Sequence, residues 1–250
     1  MKFGPRIPSL STRIAAMAMG AVLCSCPLSA QVVALPVLLQ SAITQDLAQL
    51  PMVTSTMRHK PGDPINVGFI GSQDEIIALL QAAGWQRPVL VTLKSSAKIV
   101  GSVTLHHAYY TAPVSSLFYQ GRKQDLAFEK EVGKDARQRH HVRFWKLRDD
   151  GPDGRVFWLG AATFDKGVGI SHRTGAVTHH ISGDVDQERD FLLGELQGTQ
   201  RLEGQYTVKG RGPIRAKNGG GDVYWTDGDV IVVEIALGAG PQTGPVQGAQ

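Results

Sequence analysis

The chain has 250 residues, with 26 lysines and arginines against 22 aspartates and glutamates, so its formal net charge at pH 7 is +4. Three of those cations, Lys2, Arg6 and Arg13, lie in the first thirty residues, which leaves 23 cations against the 22 acids. This near balance argues against a nucleic acid as the partner. Cys24 and Cys26 also lie in the leader, which excludes disulfides, cysteine nucleophiles and cysteine-ligated zinc from the rest of the chain.

The leader has the pattern of a secretory signal peptide. Basic residues precede an uncharged apolar stretch, and the small residues LSA at 28–30 precede Gln31. Because these are the three parts of such a signal, we predict export to the periplasm or cell envelope, with a mature chain that begins at Gln31. Two alternatives stay open: an uncut segment between Arg13 and Asp46 that anchors the protein in a bilayer, and a lipoprotein modified at Cys26.

The remaining chain divides into three parts. Residues 31–62 form a polar lead-in, which ends in a loop indicated by the prolines and glycine of 61–64. A single folded domain is predicted over 63–237, a length sufficient for one core. The Gly-, Pro- and Gln-rich stretch 238–250 is typical of a disordered tail.

Strand and helix patterns alternate through the domain. Helices are predicted over 72–85, with a serine cap and a glutamate three positions on, and over 184–196. Strands are predicted at 65–72, in two pieces around a turn near Gly121 within 116–131, at 139–147, at 156–164, at 176–181, and as a hairpin turning at Asp227-Gly228 within 222–237. The glycine-rich stretch 210–221 is predicted to be a flexible loop. The pattern favours an α+β fold, a mostly antiparallel twisted sheet with two or three helices packed on one face.

Five blocks follow one another between residues 67 and 196: VGFIGSQDEIIALLQAAGW, APVSSLFYQGRKQDLAFEKEV, RHHVRFWKL, FWLGAATFDKGVG and THHISGDVDQERDFLLGEL. Together they resemble the LssY C-terminal domain family of bacteria. The resemblance implies an envelope setting, because in larger relatives this module lies beside integral-membrane domains that resemble DedA and the type-2 phosphatidic acid phosphatases. Those membrane domains have no counterpart among these blocks. Any phosphatase activity of the larger relatives is therefore not transferred to this chain by the resemblance.

Two histidine pairs lie in predicted strands, where side chains alternate between the faces of a sheet. In 139–147 one face carries Arg139, His141, Arg143, Trp145 and Leu147, and the other carries His140, Val142 and Phe144. In AVTHHI, His179 shares a face with valine and isoleucine, while His180 shares the opposite face with a threonine. His140 and His179 are therefore predicted to be core histidines, each hydrogen-bonded to the backbone or to an acid.

The polar faces predict a site. We expect His141, Arg143 and His180 to converge on a solvent-reachable surface, with Arg139 on the same face and Asp165 near its edge. Two imidazoles and a guanidinium suit a phosphate or carboxylate. With the carboxylate of Asp165 added, the two imidazoles could instead hold zinc or another divalent metal, although the sequence requires no cofactor.

The acids that open the second helix have a structural interpretation. Asp184 or Asp186 is expected to cap the helix, and the others to complement its dipole. Glu188 and Arg189 are expected at the surface or as ties between helix and sheet. In the core, Phe144 and Leu159 are predicted to be buried in neighbouring strands.

Two functions follow from these patterns. The first is a binding module for an anionic envelope ligand or a membrane-protein partner. The alternative is a periplasmic phosphoester hydrolase, with His141 and His180 as acid and base or metal ligands and Asp165 as the carboxylate. Neither HExxH nor GxSxG occurs in the chain, which argues against the simplest metalloprotease and serine hydrolase. No oligomeric state is predicted.

Overall fold

The computed structural model describes residues 1, 33–34, 43–45, 47–88, 116–133, 135–151, 154–170, 177–209 and 215–238. Every strand and helix within these ranges lies in one unit, residues 31–250. Residues 239–250 of the predicted tail 238–250, and the leader after its first residue, lie outside the described residues.

The described elements are mostly strands. In chain order they are β1 (Val33–Ala34), β2 (Val53–Thr56), β3 (Pro61–Pro64), β4 (Val67–Ile70), α1 (Gln73–Ala82), β5 (Leu117–Tyr119), β6 (Arg122–Lys123), β7 (Leu126–Val132), β8 (Asp135–Arg148), β9 (Phe157–Ile170), β10 (Val177–Ile181), α2 (Val185–Gly198), β11 (Leu202–Val208), β12 (Arg215–Lys217), β13 (Val223–Trp225) and β14 (Val230–Ile235). Residues 43–45 and 47–48 are also helical.

The main sheet has eight strands in the order β1-β11-β14-β4-β9-β8-β7, with β10 also paired to β9. The pairs β1–β11 and β4–β14 are parallel and the other pairs are antiparallel. A small sheet has the order β3-β2-β5-β6, and β12 and β13 form a two-stranded ribbon. The predicted α+β class and mostly antiparallel sheet are confirmed, and the sheet is mixed.

Both predicted helices are present and begin at their expected caps. Ser72 accepts from the backbone N–H of Glu75, and the Glu75 carboxylate accepts from the backbone N–H of Ser72, which completes a capping box before α1. The Asp184 carboxylate accepts from the backbone N–H of Gln187 at the start of α2. The capping prediction for this helix is therefore confirmed.

The two faces of the main sheet are covered differently. On one face, Val142 and Phe144 of β8 pack with the apolar residues of α1 and α2. On the other face, Trp145 and Leu159 pack with residues of the small sheet and of the helical segment near Ile43. Phe144 and Leu159 are both fully buried, in neighbouring strands as predicted, and they belong to these two separate clusters.

Three local predictions are wrong. Residues 61–64 form strand β3, not a loop, because its prolines lie on an edge strand of the small sheet, where a missing N–H is tolerated. Residues 215–217 of the predicted flexible loop form β12. The predicted hairpin of 222–237 is divided, since β13 pairs with β12 whereas β14 pairs with β11 and β4. The apolar run of β14 is buried on both sides, which suits a central strand of the main sheet.

Candidate functional site

His141 lies on the face of the main sheet that the small sheet covers. It stands opposite Thr163 of β9, and only 2 % of the residue is exposed. Its Nε2 lies 2.9 Å from Oδ2 of Asp165, within ion-pair distance, although the angle is not that of a hydrogen bond. Asp165 is itself buried and stands opposite Arg139, whose guanidinium donates to Glu129 at 3.2 Å.

Arg143 connects the main sheet to the small sheet. Its Nη1 lies 3.5 Å from Oδ2 of Asp63 on β3, and both side chains are buried. Burial raises the pKa of the Asp63 carboxyl above its ordinary value, the nearby Asp165 acts in the same direction, and Arg143 and a hydrogen bond from Asn218 oppose them. The buried guanidinium of Arg143 therefore already has the Asp63 carboxyl beside it.

His180 joins the same group of residues through a loop. Its Nδ1 lies 2.6 Å from Oδ1 of Asp222, and the Asp222 backbone N–H donates to the Asn218 side chain. The Asn218 side chain in turn hydrogen-bonds Asp63. The structure thus links His180 and Arg143, two of the predicted site residues, through a chain of polar contacts that passes by Asp63.

We call this group the buried polar network; its members are Asp63, His141, Arg143, Thr163, Asp165, His180, Asn218, Asp222 and Tyr224. Burial and the neighbouring Asp63 raise the pKa of the Tyr224 hydroxyl. Among the described residues, the Tyr224 hydroxyl, the Thr163 hydroxyl and Nε of Arg143 find no hydrogen-bond partner. Such buried polar atoms are uncommon in folded proteins, and these three all belong to the network.

The predicted solvent-reachable surface is wrong for His141, Arg143 and Asp165, all of which are at most 7 % exposed. Strand alternation gave their face correctly, but the small sheet and the ribbon cover that face. Within the described ranges, no three His, Cys, Asp or Glu side chains are grouped so that they could hold a metal ion. The zinc interpretation of His141, His180 and Asp165 therefore gains no support there.

His140 points to the opposite, helix-covered face. Its Nδ1 lies 2.7 Å from Oε2 of Glu188 on α2, and its ring stacks on Phe191 with centroids 4.0 Å apart. The prediction of a core histidine bonded to an acid is confirmed here, and Glu188 ties the helix to the sheet. Burial raises the pKa of Glu188, while the contacts with His140 lower it. The side chain of His179 lies outside the described residues.

Arg189 fixes the turn between β13 and β14. Its guanidinium donates to the carboxylates of Asp186, Asp190 and Asp227 at 2.8–3.2 Å. Asp186 in turn accepts from the backbone N–H of Asp227. The acids at the start of α2 therefore help to stabilise the turn between β13 and β14.

A family model described as LssY C-terminus matches residues 47–230, which is more than half of the chain. The chain belongs to the LssY C-terminus family. No curated protein and no solved structure matches it. The matched range includes every member of the buried polar network, so the network lies inside the LssY C-terminus module.

A second polar region of this module lies at the surface, and the sequence patterns did not indicate it. We call it the basic turn surface: the turn 57–60 between β2 and β3, together with the outer face of the β12–β13 ribbon. Its exposed cations are Arg58, Lys60, Arg215 and Lys217, and its exposed apolar side chains are Met57 and Trp225. The alternating residues RAK at 215–217 and the aromatic pair YW at 224–225 could have indicated two short strands. The glycines between them favoured a loop instead.

The cations of this surface differ from Arg143 in their pairing. None of the four makes an ion pair with any residue in the ranges that the structure describes. The two turns adjoin each other, because a Cβ at Gly219 in the ribbon turn would collide with Thr56 and approach the carbonyl oxygen of Pro61. No helix in the described ranges is long and apolar enough to cross a membrane.

Proposed function

We propose that this LssY C-terminus protein is an exported binding module of the bacterial cell envelope and that it takes an anionic ligand at the basic turn surface. The observation that carries the proposal is the set of four exposed cations without a described acidic partner. A cation without an acidic partner can meet an incoming anion without competition, whereas a paired cation must first give up or share its partner.

The buried polar network is a poorer candidate for the ligand site. Arg143 already lies against Asp63, and Asp165 is close enough to affect the pKa of Asp63. An anion entering there would meet two carboxylates in a desolvated environment, which is costly. The same burial argues against a hydrolase that uses His141, because a substrate must reach the catalytic base within hydrogen-bond distance.

A soluble polyanion tests the proposal. Binding of fluorescent polyphosphate to the full protein should weaken about tenfold in an Arg215→Glu/Lys217→Glu variant, because two surface charges are reversed. It should also weaken as salt rises, since the contacts are exposed. The matched control is Arg87→Glu/Lys123→Glu, which makes the same change in net charge at two other exposed positions. If polyphosphate binding weakened equally in both variants, the cause would be the net charge of the protein, and the proposed site would be rejected.

Export is tested separately by mass spectrometry of the protein recovered from cells. The expected N-terminus is Gln31, because LSA at 28–30 meets the small-residue requirement before the cut. An intact N-terminus in washed membranes would indicate an anchor instead. Palmitate incorporation that Cys26→Ser abolishes would indicate a lipoprotein.

A further inference from the structure

We infer that the anion bound by the basic turn surface is the face of a bilayer that contains anionic phospholipid, with Met57 and Trp225 entering the interfacial region. The inference rests on the proposed function and adds the identity of the ligand. Its first support is exposure: Met57 is 73 % exposed and Trp225 is 48 % exposed. Indole rings and flexible apolar side chains are stabilised where water meets lipid.

The ribbon directs its cations and its indole to the same side. Arg215 stands opposite Trp225, and Lys217 stands opposite Val223, so the side chains of these pairs share one face. The other face carries Ala216 and Tyr224, which pack against Ile181 and Val185 in the interior. The outer face of the ribbon is therefore a mixed cationic and apolar surface.

The position of Trp225 is fixed by the backbone below it. Its N–H donates to the carbonyl oxygen of Gly183 at 2.8 Å, and its ring lies so close to Gly183 that a Cβ at that position would overlap it. The exposed indole is thus a feature that the fold supports, because the residue beneath it has no side chain.

The second turn presents its cations in the same way. The backbone N–H of Thr56 donates to Lys60, and that of His59 donates to Thr56, which closes a tight turn with Met57 and Arg58 at its tip. Gly219 of the ribbon turn packs against Thr56. The turn 57–60 and the adjoining ribbon therefore each carry an exposed apolar side chain and two exposed cations.

The acids near this surface are engaged elsewhere. Asp222, at the foot of the ribbon, accepts from the backbone N–H of Ile181 and contacts His180. Asp184, beside Trp225, caps α2. These two carboxylates are held in hydrogen bonds of the fold and make no ion pair with Arg58, Lys60, Arg215 or Lys217 within the described residues.

A bilayer fits these features better than a carbohydrate or a small ligand. Small ligands are bound in concave pockets, whereas Met57 lies at the tip of a turn and projects outward. Apolar groups beside lysine and arginine match a membrane interface, where the apolar part enters the headgroup region and the cations attract anionic lipid.

The experiment uses the full protein with vesicles of phosphatidylcholine alone or in equal parts with phosphatidylglycerol. Co-sedimentation should require phosphatidylglycerol and should fall about tenfold in Arg215→Glu/Lys217→Glu, but not in Arg87→Glu/Lys123→Glu, by the same charge argument as for polyphosphate. Trp85, Trp145 and Trp158 are at most 2 % exposed. A blue shift on binding, and quenching by brominated lipid, would therefore report Trp225 and should disappear in Trp225→Phe.

The possible outcomes distinguish failure of the bilayer inference from failure of the proposed function. Binding to polyphosphate without binding to phosphatidylglycerol vesicles would overturn the bilayer inference and leave the anionic site intact. Vesicle binding with unshifted tryptophan emission, and with no loss in Met57→Ser, would overturn the entry of these side chains into the interface. Failure to bind either polyphosphate or vesicles would reject the proposed function and this inference together.

Discussion

Arg143 and Arg215 are both arginines in strands beside an aromatic residue, yet they have opposite surroundings. Arg143 is 6 % exposed and has Asp63 of the small sheet next to its guanidinium. Arg215 is exposed, and its cross-strand neighbour is the half-exposed Trp225. The difference is the element packed over each strand: a second sheet covers β8, and no described element covers the outer face of β12.

This difference separates the charged residues that stabilise the fold from those that are available to a ligand. A desolvated charge requires its partner, so removing one member of a buried pair leaves the other uncompensated. A solvated charge contributes little to folding and remains available to a ligand. The buried polar network therefore holds the main sheet, the small sheet and the ribbon together, and the basic turn surface stays available to the anion that we propose as its ligand.

The largest expected effect is on Arg143. Arg143→Ala should lower the free energy of unfolding by about 3–5 kcal/mol, because Asp63 would stay buried without its cation. Arg215→Ala should change it by less than about 0.5 kcal/mol, as is usual for an exposed side chain. Urea denaturation followed by circular dichroism measures both values.

The matched control for Arg143 is the double variant Asp63→Asn/Arg143→Ala. If the loss comes from the uncompensated carboxylate, Asp63→Asn should recover part of it, and the two substitutions should not be additive. Equal losses of unfolding free energy in Arg143→Ala and Arg215→Ala would contradict the proposed difference between the buried and the exposed region.

The next effect concerns His140 and the buried carboxyl of Glu188. His140→Ala removes the contacts that lower the pKa of Glu188, while burial and Asp165 still raise it. We expect a loss of about 1–3 kcal/mol at pH 7. The pKa of Glu188 should rise further, which an NMR titration of its carboxyl carbon measures.

The pH dependence of this variant has a definite sign. Because the folded pKa of Glu188 lies above its ordinary 4.5, the fold favours the protonated carboxyl. That contribution is fully present below the unfolded pKa and is lost as pH rises through the folded pKa. His140→Ala should therefore be more destabilising at pH 7 than at pH 4, and a constant difference across this range would contradict the assignment.

Much of the fold could be predicted from local patterns. The alternation of side chains along β8 predicted that Val142 and Phe144 lie on one face of the sheet and Trp145 on the other. The structure confirms this, because the first two and Trp145 belong to different core clusters. The caps at Ser72 and Asp184 located both helices, because capping depends on residues three positions apart. Such features need no knowledge of the distant chain.

The candidate site could not be predicted, because its decisive contact joins residues that are far apart in sequence. Asp63 lies in PGDP, whose prolines indicated a loop, and it meets Arg143 eighty positions later. Alternation holds at His180, which stands opposite Gly167 on the face of Asp165, and it fails only beyond this residue, where the register shifts before Ile181. An irregular register removes the rule that assigns side chains to faces.

A smaller effect is expected where the ribbon meets the loop before α2. Gly183→Ala would place a Cβ against the Trp225 ring, and overpacking of a partly buried contact costs about 1 kcal/mol. The half-exposed ring can move outward, so acrylamide quenching should increase. A loss of stability without a change in quenching would mean that Trp225 does not rest on Gly183.

The smallest effect on stability is expected for Trp225→Phe, less than about 0.5 kcal/mol, because nearly half of the side chain already faces solvent. The spectroscopic effect should be large. Since Trp85, Trp145 and Trp158 are buried, the acrylamide-accessible fluorescence should come from Trp225 and be lost in this variant. Arg143→Lys, made as a control, should leave that accessible fraction unchanged. If quenching survives Trp225→Phe, an indole assigned to the core is open to solvent, and the division into a covered region and an exposed region fails.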